Sequence, residues 1–330
     1  MKELDNTAVS KHLGQTSSYK STYDKSLLVR ERRQNNREHL GITVGEELPF
    51  VGTDTWNCYE VSALTNTGMP VSCVLKIVYG CDSEYIVESK SLKLYLNSFN
   101  MERLGRKSID VYNEILSKVQ LDLEELLETE VHAQSEGFKE SSDSALSWNS
   151  PANGDPLIMS VSDSADPVFA WDLERYTTLE DVCCDDNIVF NKYVETPGLL
   201  RLVDKELEKF DAHEYQHFHS ALLKSNCRVT SQPDWGDILV SVKDEKYHLD
   251  AGSLLQYIVS FRDENHFHEE ICETVFVRLK ALLPDADIRV MCLYARRGGI
   301  DINPQRASSI DMLHTHLANP YIRHCKTYKQ

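Results

Sequence analysis

The chain has 330 residues and a formal net charge of −17, with 35 Lys and Arg against 52 Asp and Glu, and this length allows two ordinary domains or one duplicated unit. The charge excludes non-specific binding to nucleic acid or to an anionic membrane, because both would repel the chain before a specific contact formed. Nine cysteines without C-x-x-C spacing exclude a disulfide framework and a structural zinc site, and no apolar run is long enough to span a membrane, so we expect a cytoplasmic protein with a small-molecule ligand.

Residues 1 to 45 are predicted to form a polar N-terminal arm. Arg30-Glu31-Arg32-Arg33 is its basic cluster, and the acidic balance of the chain favours a solvated arm packed along a partner surface over a nucleic-acid site. The first ordered element is predicted to be a β-hairpin. Trp56 to Leu64 and Val71 to Tyr79 have strand character, and Asn66-Thr67-Gly68 between them is a turn signal.

The stretch from Glu88 to Asn100 is the first with functional character. Small hydroxyls and the lysines Lys90 and Lys93 alternate in it with three leucines. This pattern suggests an element whose polar face grips anionic oxygens such as those of a phosphate. The alternative is an ordinary solvated helix or strand edge, and composition alone favours that alternative.

A core-facing amphipathic helix is predicted to begin with Ser108 as its N-cap, because apolar residues keep helical spacing as far as Leu127. Residues 133 to 156 are rich in Ser, Asn and Gly and carry too little apolar surface to pack. They are therefore predicted to be a flexible insertion or an inter-domain linker. Cys183 and Cys184 lack metal-ligand spacing, so we assign them no role.

The segment from Ser225 to Asp237 is predicted to be a loop that joins two ordered elements. Helical spacing of apolar residues from Tyr215 to Leu223 predicts a helix before it, and Asp211 with Glu214 resembles a capping box at the start of that helix. Alternating apolar residues from Ile238 to Val242 predict a strand after it. The loop is therefore held at both ends.

Cys227 in this loop is the candidate nucleophile. A thiol reacts as its thiolate, and a position at the end of an ordered element lets neighbours tune the pKa and lets a substrate reach the sulfur. Asp234 in the same loop has a carboxylate that could orient a reacting group or supply its proton. The alternative is that Cys227 is inert filling, as most cysteines of cytosolic proteins are.

A third helix is predicted after an apolar run from Leu254 to Phe261. Helical spacing of apolar residues from Phe267 to Leu279 places His268 and Glu269 at the head of this helix. A histidine there is often only a solvated capping residue. A histidine that stands beside a glutamate, near a candidate nucleophile, is a candidate for function.

The last strand is predicted to run from Ile288 to Tyr294. It opens into a loop from Arg296 to Pro304. Glycines in this loop permit close backbone approach to a ligand, and its arginines suit phosphate.

The chain contains an internal repeat. Three pairs of matching positions share one frame: Tyr95 to Phe99 with Tyr257 to Phe261, Glu88 with Asp250, and Ser91 with Ser253. In the same order, Thr53 to Trp56 loosely echoes Gln232 to Trp235. The lysines occur only in the first copy and the candidate nucleophile only in the second, so we expect function to be divided between the halves.

Together these stretches resemble the NADPH-dependent 7-cyano-7-deazaguanine reductases, the nitrile reductases of queuosine biosynthesis, in their long two-module form. The resemblance covers nearly the whole chain, from Leu13-Gly14 and Tyr23 to Leu28 as far as Arg296 to Pro304. It implies an α+β tunnelling fold (T-fold), in which tandem modules of antiparallel sheet are backed by helices and the chain forms a homodimer.

The domain organisation expected from this resemblance has four parts. The N-terminal arm spans 1–45, and a first T-fold module with the cofactor and base motif spans 46–132. A flexible Ser-rich insertion or linker spans 133–165. A second T-fold module with the catalytic Cys and Asp spans 166–330.

The resemblance also implies a role for each candidate residue. Cys227 would attack the nitrile carbon to give a covalent thioimide, and Asp234 would donate protons while two NADPH molecules reduce the adduct to an aminomethyl group. The substrate base would be held by Val87, Glu88, Ser89, His268 and Glu269, and NADPH by Ser89, Lys90, Arg297 and Gly298. No metal, direct nucleic-acid partner or membrane is implied. Since the chain has no G-x-G-x-x-G motif, NADPH would bind outside a Rossmann fold.

Arg228 departs from the family, which commonly has a small or apolar residue such as proline after the nucleophile. It could alter the pKa or reactivity of the thiol, or point to solvent. Two other functions are open: a non-catalytic purine- or pterin-binding T-fold scaffold, and a hydrolase or amidinotransferase of the same fold group. A scaffold has no use for a nucleophile with its own acid, and neither of the other reactions needs the reductant that Glu88 to Tyr95 would bind.

Overall fold

The computed structural model describes residues 22–129, 158–162, 168–182, 188–205, 214–319, 323–327 and 329–330. The Ser-rich stretch over 133–156, Cys183 with Cys184, and Asp211 lie outside the described residues. Within those ranges, no helix is both long and apolar enough to cross a membrane.

A nine-stranded sheet runs through both halves of the chain. Its strands are β1 (Val51–Leu64), β2 (Pro70–Gly80), β3 (Ile158–Ser162), β4 (Thr177–Thr178), β5 (Gln216–Cys227), β6 (Pro233–Lys243), β7 (Asn265–His266), β8 (Asp287–Tyr294) and β9 (Ile300–Ala307). Their spatial order is β7-β5-β6-β8-β9-β1-β2-β3, and β4 also pairs with β5. The halves are joined where β9 runs antiparallel to β1, from Ile300 opposite Cys58 to Ala307 opposite Val51.

Each half packs its own pair of helices against its own hydrophobic core. The helices are α1 (Ser89–Asn97) and α2 (Ser108–Leu127) in the first half, and α3 (Ala251–Val259) and α4 (His268–Leu282) in the second. Leu92 and Val119 pack in the first core, and Ile258 and Phe276 in the second. Each fully buried side chain of this kind stabilises the fold by about 1.5–3 kcal/mol. The predicted α+β architecture of two modules is confirmed, as are the first hairpin and the two predicted helices that become α2 and α4. The N-cap of α2 is Lys107 rather than the predicted Ser108, which is the first residue of the helix.

The internal repeat is confirmed at the starts of α1 and α3, where matching acids cap the helices. The Glu88 carboxylate accepts backbone N–H groups from Lys90 at 3.0 Å and Ser91 at 2.7 Å, and the Asp250 carboxylate accepts that of Ser253 at 2.7 Å. The hydroxyls of Ser91 and Ser253 then donate to the carbonyl oxygen of their own capping residue, at 2.7 and 2.8 Å. Both caps satisfy amides that a helix start leaves free.

The repeat extends beyond the helix caps. In each half a ring pair from the aligned motif packs edge to face, with centroids 5.4 Å apart for Tyr95 with Phe99 and 5.3 Å apart for Tyr257 with Phe261. A short two-stranded ladder also precedes each helix: Arg30–Arg32 with Tyr85–Val87, and Leu202–Asp204 with Tyr247–Leu249. The two halves are therefore copies of one unit.

The helix predicted from Tyr215 to Leu223 is wrong, because this segment is strand β5. It pairs with β6, but the register shifts by one residue partway along the pair. The buried residues Phe218, Ser220 and Leu223 are therefore spaced first by two and then by three. Such a bulge breaks the strand period of two, and the spacing of three imitates a helix.

Besides β5, several strands lie where the sequence indicated none, and β9 and β3 are the longest of them. β9 occupies most of the loop predicted from Arg296 to Pro304, so the strand ending at Tyr294 is not the last. Its polar residues are buried in side-chain hydrogen bonds, as Asp301 with Asn57 at 2.7 Å and Gln305 with Thr53 at 2.9 Å show. Apart from Ile300 and Ile302, the strand therefore lacks the apolar alternation that marks a strand in the sequence. β3 lies within the range predicted as a linker and pairs antiparallel with β2, which extends the first half.

The sequence predicts that the basic cluster of the N-terminal arm is solvated, but in the structure the cluster is partly buried. Arg33 is buried and pairs with Asp54 at 2.6 Å, and Arg37 in the next turn is buried and pairs with Glu273 at 2.7 Å. Arg306 on β9 contacts both carboxylates, at 2.8 and 2.9 Å. We call these five residues the buried ion cluster. It ties the arm to β1, α4 and β9, because buried charges persist only when they are paired.

Candidate active site

A cleft of about 340 Å³ lies between the two halves. All ten residues predicted for the site line it: Val87, Glu88, Ser89, Lys90, Cys227, Asp234, His268, Glu269, Arg297 and Gly298. The side chains of Trp56, Ile300 and Ile302, from β1 and β9, add an apolar part to the lining. A concave site with an apolar lining and a few convergent polar groups is typical of small-molecule binding.

Cys227 is the last residue of β5, held by a tight turn rather than by a long loop. Its N–H donates to the Gln232 carbonyl oxygen at 2.8 Å, and its own carbonyl oxygen accepts the Ser231 N–H at 2.9 Å. Ser231 has a φ of 53°, the left-handed backbone that such a turn requires. The thiol is partly exposed to the cleft, so a substrate can reach it.

Asp234 lies on the same face of the sheet as Cys227. In the pairing of β5 with β6 its direct partner is Ser225, and Cys227 is two residues further along that strand. Side chains two residues apart on a strand share a face, and diagonal neighbours across a strand pair are within reach of each other. The register of one hairpin thus brings the predicted nucleophile and the predicted acid together.

The Asp234 carboxylate is buried, with 3% of the residue exposed, and has two cationic partners. Arg297 forms an ion pair with one oxygen, and His268 Nε2 lies 3.5 Å from the other. Burial opposes ionisation, but the hydrogen bonds and charges of His268 and Arg297 outweigh it and lower the pKa of Asp234 below its ordinary value. Without a ligand, therefore, Asp234 is held in its ionised form.

His268 and Glu269 form the first turn of α4. The His268 ring stacks on the buried Tyr294 ring, with centroids 3.8 Å apart and planes 15° apart. The N–H of Phe267, which precedes the helix, donates to Glu270 at 2.9 Å and fixes where α4 begins. The orientation of His268 and Glu269 is therefore set by the packing of His268 on Tyr294 and by the cap at the start of α4.

Glu269 is a buried acid with 2% of its surface exposed and with no hydrogen-bond partner for its Oε1. Burial and the charge of Asp54 raise its pKa to about 8, while Arg33 and Arg306 oppose this rise. A buried polar atom without a partner is costly. Glu269 is thus suited to a ligand that brings N–H donors into the cleft.

Glu88 also has a structural role. Both of its carboxylate oxygens cap α1, and Asp250 does the same for α3 in the second half. Capping alone therefore accounts for an acid at this position, although the cleft also reaches Glu88 and Val87 beside it. A contact between Glu88 and the substrate base stays a prediction.

The cations of the cleft come from α1 and from the turn before β9. Lys90 and Lys93 line the cleft one helical turn apart, whereas Gly252 occupies the position of Lys90 in the second copy. Gly298 has a φ of 58°, and a Cβ there would lie 2.8 Å from Lys93 Nζ. The sequence stretch that predicted an anion site thus contributes a second lysine, Lys93, which helical spacing from Lys90 could have identified.

The first half has no nucleophile at the matching place. Thr65 follows β1 as Cys227 ends β5, and their N–H groups close equivalent turns, to Met69 O at 2.9 Å and to Gln232 O at 2.8 Å. The Thr65 hydroxyl accepts the Met69 N–H at 3.1 Å. The turn therefore uses that hydroxyl, and of this pair only Cys227 carries a thiol.

Arg228, the residue after Cys227, forms an ion pair with the helix that carries His268. Its Nη1 lies 2.8 Å from Glu270 Oε1, and its guanidinium lies 5.5 Å from the centre of the Phe267 ring. About a third of the side chain is exposed. Arg228 thereby links the turn after Cys227 to the first turn of α4.

Comparison with known proteins gives consistent matches along the chain. Residues 19–135 match the family described as nitrile reductase, 7-cyano-7-deazaguanine-reductase N-term, and residues 233–311 match the family described as QueF-like protein. The NADPH-dependent 7-cyano-7-deazaguanine reductase of Albidiferax ferrireducens is 35% identical over 95% of this chain and 99% of its own length. The protein of the same name from Chromohalobacter salexigens is 35% identical over 93% of this chain and 95% of its own length.

Proposed function

Because the chain belongs to the family of 7-cyano-7-deazaguanine reductases, we propose that it reduces the nitrile of 7-cyano-7-deazaguanine to an aminomethyl group with NADPH, in queuosine biosynthesis. The observation that carries this proposal is the cleft itself. Ten residues chosen from separated parts of the sequence line one site of small-molecule size. We further propose that the enzyme is a cytoplasmic homodimer with the domain organisation expected from the family resemblance, except that β3, within the expected linker, belongs to the sheet of the first module.

We propose that the reaction begins with addition of Cys227 to the nitrile. The Sγ–C bond forms as one π bond of the nitrile breaks. Asp234, ionised by its two partners, takes the thiol proton and returns it to the nitrile nitrogen. The product is a thioimide that stays fixed to the protein, which keeps its carbon in place for the later steps.

The residues of the cleft fit the reductant. Lys90, Lys93 and Arg297 line one end, and the lack of a side chain at Gly298 leaves room for a close approach of anionic oxygens to the backbone. When bound, NADPH would supply the two hydrides that the nitrile carbon needs. Between the two reductions the C–S bond would break as the nitrogen forms an imine with that carbon, and Cys227 Sγ would leave with the bonding electrons and recover its proton. Asp234 would deliver a proton to the nitrogen at each reduction, so that two hydrides and two protons convert the nitrile to the amine.

Recognition of the deazaguanine base would rest on the head of α4. Glu269 has an oxygen without a partner, and a guanine-like edge offers adjacent N–H donors that a carboxylate accepts well. His268 lies beside it, stacked on Tyr294. Val87, Glu88 and Ser89 line the same cleft from the first half.

We expect substrate binding to weaken as the pH falls below about 8. Only the ionised form of Glu269 accepts two N–H groups, so binding releases its proton below its pKa. The dissociation constant should then rise by roughly tenfold for each pH unit below about 8. Calorimetric titration of Cys227→Ala with 7-cyano-7-deazaguanine at pH 6 to 8.5 measures binding without the covalent step.

The matched control for this titration adds Glu269→Gln to the same background. The amide keeps the size of the side chain but has no proton to release in this range. Its dissociation constant should be high and nearly independent of pH. An equal pH dependence in both proteins would assign the titration to another group.

The overall reaction is tested by mixing the purified protein with 7-cyano-7-deazaguanine and NADPH and recording absorbance at the NADPH band. We expect two NADPH molecules to be consumed per nitrile, with a gain of four hydrogens in the product by mass spectrometry. No nitrile-dependent consumption by a protein that still binds the base would support the purine- or pterin-binding scaffold instead.

A further inference from the structure

One arginine connects the mouth of the cleft to the buried acid. The Arg297 side chain is 37% exposed, yet its Nη1 pairs with Asp234, of which only 3% is exposed. Its Nη2 donates to Gln232 Oε1 at 2.6 Å. Gly298 and Gly299 follow at φ of 58° and 80°, which forms a tight turn before β9. The guanidinium therefore lies where an incoming ligand can meet it.

The proposed reaction requires Asp234 to accept a proton at one stage and to donate a proton at another. Addition of the thiol needs a carboxylate that accepts a proton, and Arg297 with His268 favours that ionised form. The reductions need a carboxyl group that donates a proton to nitrogen. A carboxyl group paired with a guanidinium is a poor proton donor, because the pairing keeps it ionised. Its protonation would leave the guanidinium without a partner.

A second group competes for the same arginine. A guanidinium binds phosphate as well as carboxylate through its fork of N–H donors. Lys90 and Lys93 line the same cleft and would draw an anion toward it. A phosphate carries up to two negative charges, so it can take the guanidinium from a carboxylate that carries one.

We propose that Arg297 is exchanged between Asp234 and a phosphate group of the bound cofactor, so that cofactor binding changes Asp234 from proton acceptor to proton donor. This inference rests on the proposed function and extends it by giving the cofactor a second role. No atom is transferred in the exchange itself. The Arg297–Asp234 ion pair breaks, an Arg297–phosphate ion pair forms, and Asp234 keeps His268 as its remaining partner.

Other groups near Asp234 define what an experiment must separate. Besides Arg297 these are His268 on α4, the Tyr294 hydroxyl on β8, the Cys227 thiol on β5, and the Glu269 carboxyl, which lines the same cleft and has a pKa raised to about 8. Each could contribute to a pH profile. A change that follows substitution of Arg297 alone, and that the phosphate reproduces in the wild type, assigns the effect to the exchange.

The test follows covalent adduct formation without any reductant. Wild-type protein is mixed with 7-cyano-7-deazaguanine at pH 4.5 to 8, and the adduct is timed by intact mass. We expect the acid limb of the rate profile to move upward by about one pH unit or more in Arg297→Gln. Saturating 2′,5′-ADP, which carries the phosphate but no hydride, should move the wild-type limb in the same direction.

The controls separate failure of this inference from failure of the proposed function. Arg297→Gln should not respond to 2′,5′-ADP, and Arg297→Lys should restore part of the wild-type profile because it restores a charge. An adduct whose acid limb is the same in wild type, in Arg297→Gln and with 2′,5′-ADP overturns the exchange but leaves the nitrile chemistry standing. No adduct in the wild type at any pH would instead overturn the proposed function.

Discussion

Replacement of Cys227 by Ala will abolish covalent capture of the nitrile and reduce turnover by roughly 10⁴-fold or more, the order of loss when a nucleophile is removed. The hairpin register places this thiol beside Asp234, and the cleft admits the substrate to it. Intact mass after incubation with 7-cyano-7-deazaguanine alone should show one added substrate mass in the wild type and none in the variant.

A second exposed cysteine provides the matched control. Cys325 is exposed and lies outside the lining of the cleft, so Cys325→Ala should form the adduct at the wild-type rate. Cys227→Ser keeps the shape of the side chain but is a far weaker nucleophile, so it should bind the base and form no stable adduct. An adduct that persists in Cys227→Ala would move the nucleophile elsewhere.

Glu273→Ala will destabilise the protein by about 3–5 kcal/mol, the cost of removing one partner from a buried ion pair. Glu273 is the carboxylate that Arg37 contacts at 2.7 Å and Arg306 at 2.9 Å, and Arg33 lies 3.7 Å away. Without it, Asp54 is the one carboxylate left in the buried ion cluster for three guanidinium groups. Urea denaturation at fixed protein concentration measures the loss.

The pH dependence of stability gives the same cluster a second test. Burial opposes ionisation of Glu273, but Arg306 and Arg37 outweigh it and lower the pKa to about 2 from an ordinary 4.5. A depressed pKa contributes stability that is fully present above pH 4.5 and is lost as the pH falls toward 2. That part of the acid-induced loss should be missing from Glu273→Ala.

A surface glutamate is the control for Glu273. Glu125 pairs with Lys25 at 3.1 Å, and 74% of its side chain is exposed. Its replacement by Ala should cost at most about 1 kcal/mol, since exposed ion pairs contribute little. If Glu273→Ala lost no more stability than the Glu125 variant, the buried ion cluster would not be holding the arm in place.

Elements with one clear period could be predicted from the sequence, and elements with a mixed period could not. The first hairpin and the helices from Ser108 and His268 show their apolar period plainly. β5 hides its period behind a bulge, and β9 buries polar and charged side chains as well as its two isoleucines. Local pattern reflects burial only where the core is apolar and the register is regular.

The candidate site was predicted more completely than the strands that carry it. Family resemblance identified ten residues by type and order, and the cleft unites them. The sequence could not reveal the electrostatic interactions among these residues. The raised pKa of Glu269 and the Arg297–Asp234 ion pair depend on distances between residues far apart in the chain. Such distances exist only after folding.

The two halves of the chain, although copies of one unit, differ at two positions that correspond to residues of the cleft. Thr65 closes the turn that Cys227 closes in the other copy, and Gly252 occupies the position of Lys90. The thiol and the lysine of the cleft thus belong to different copies of the unit. The site exists only while both halves are folded, so loss of order in either half removes it entirely.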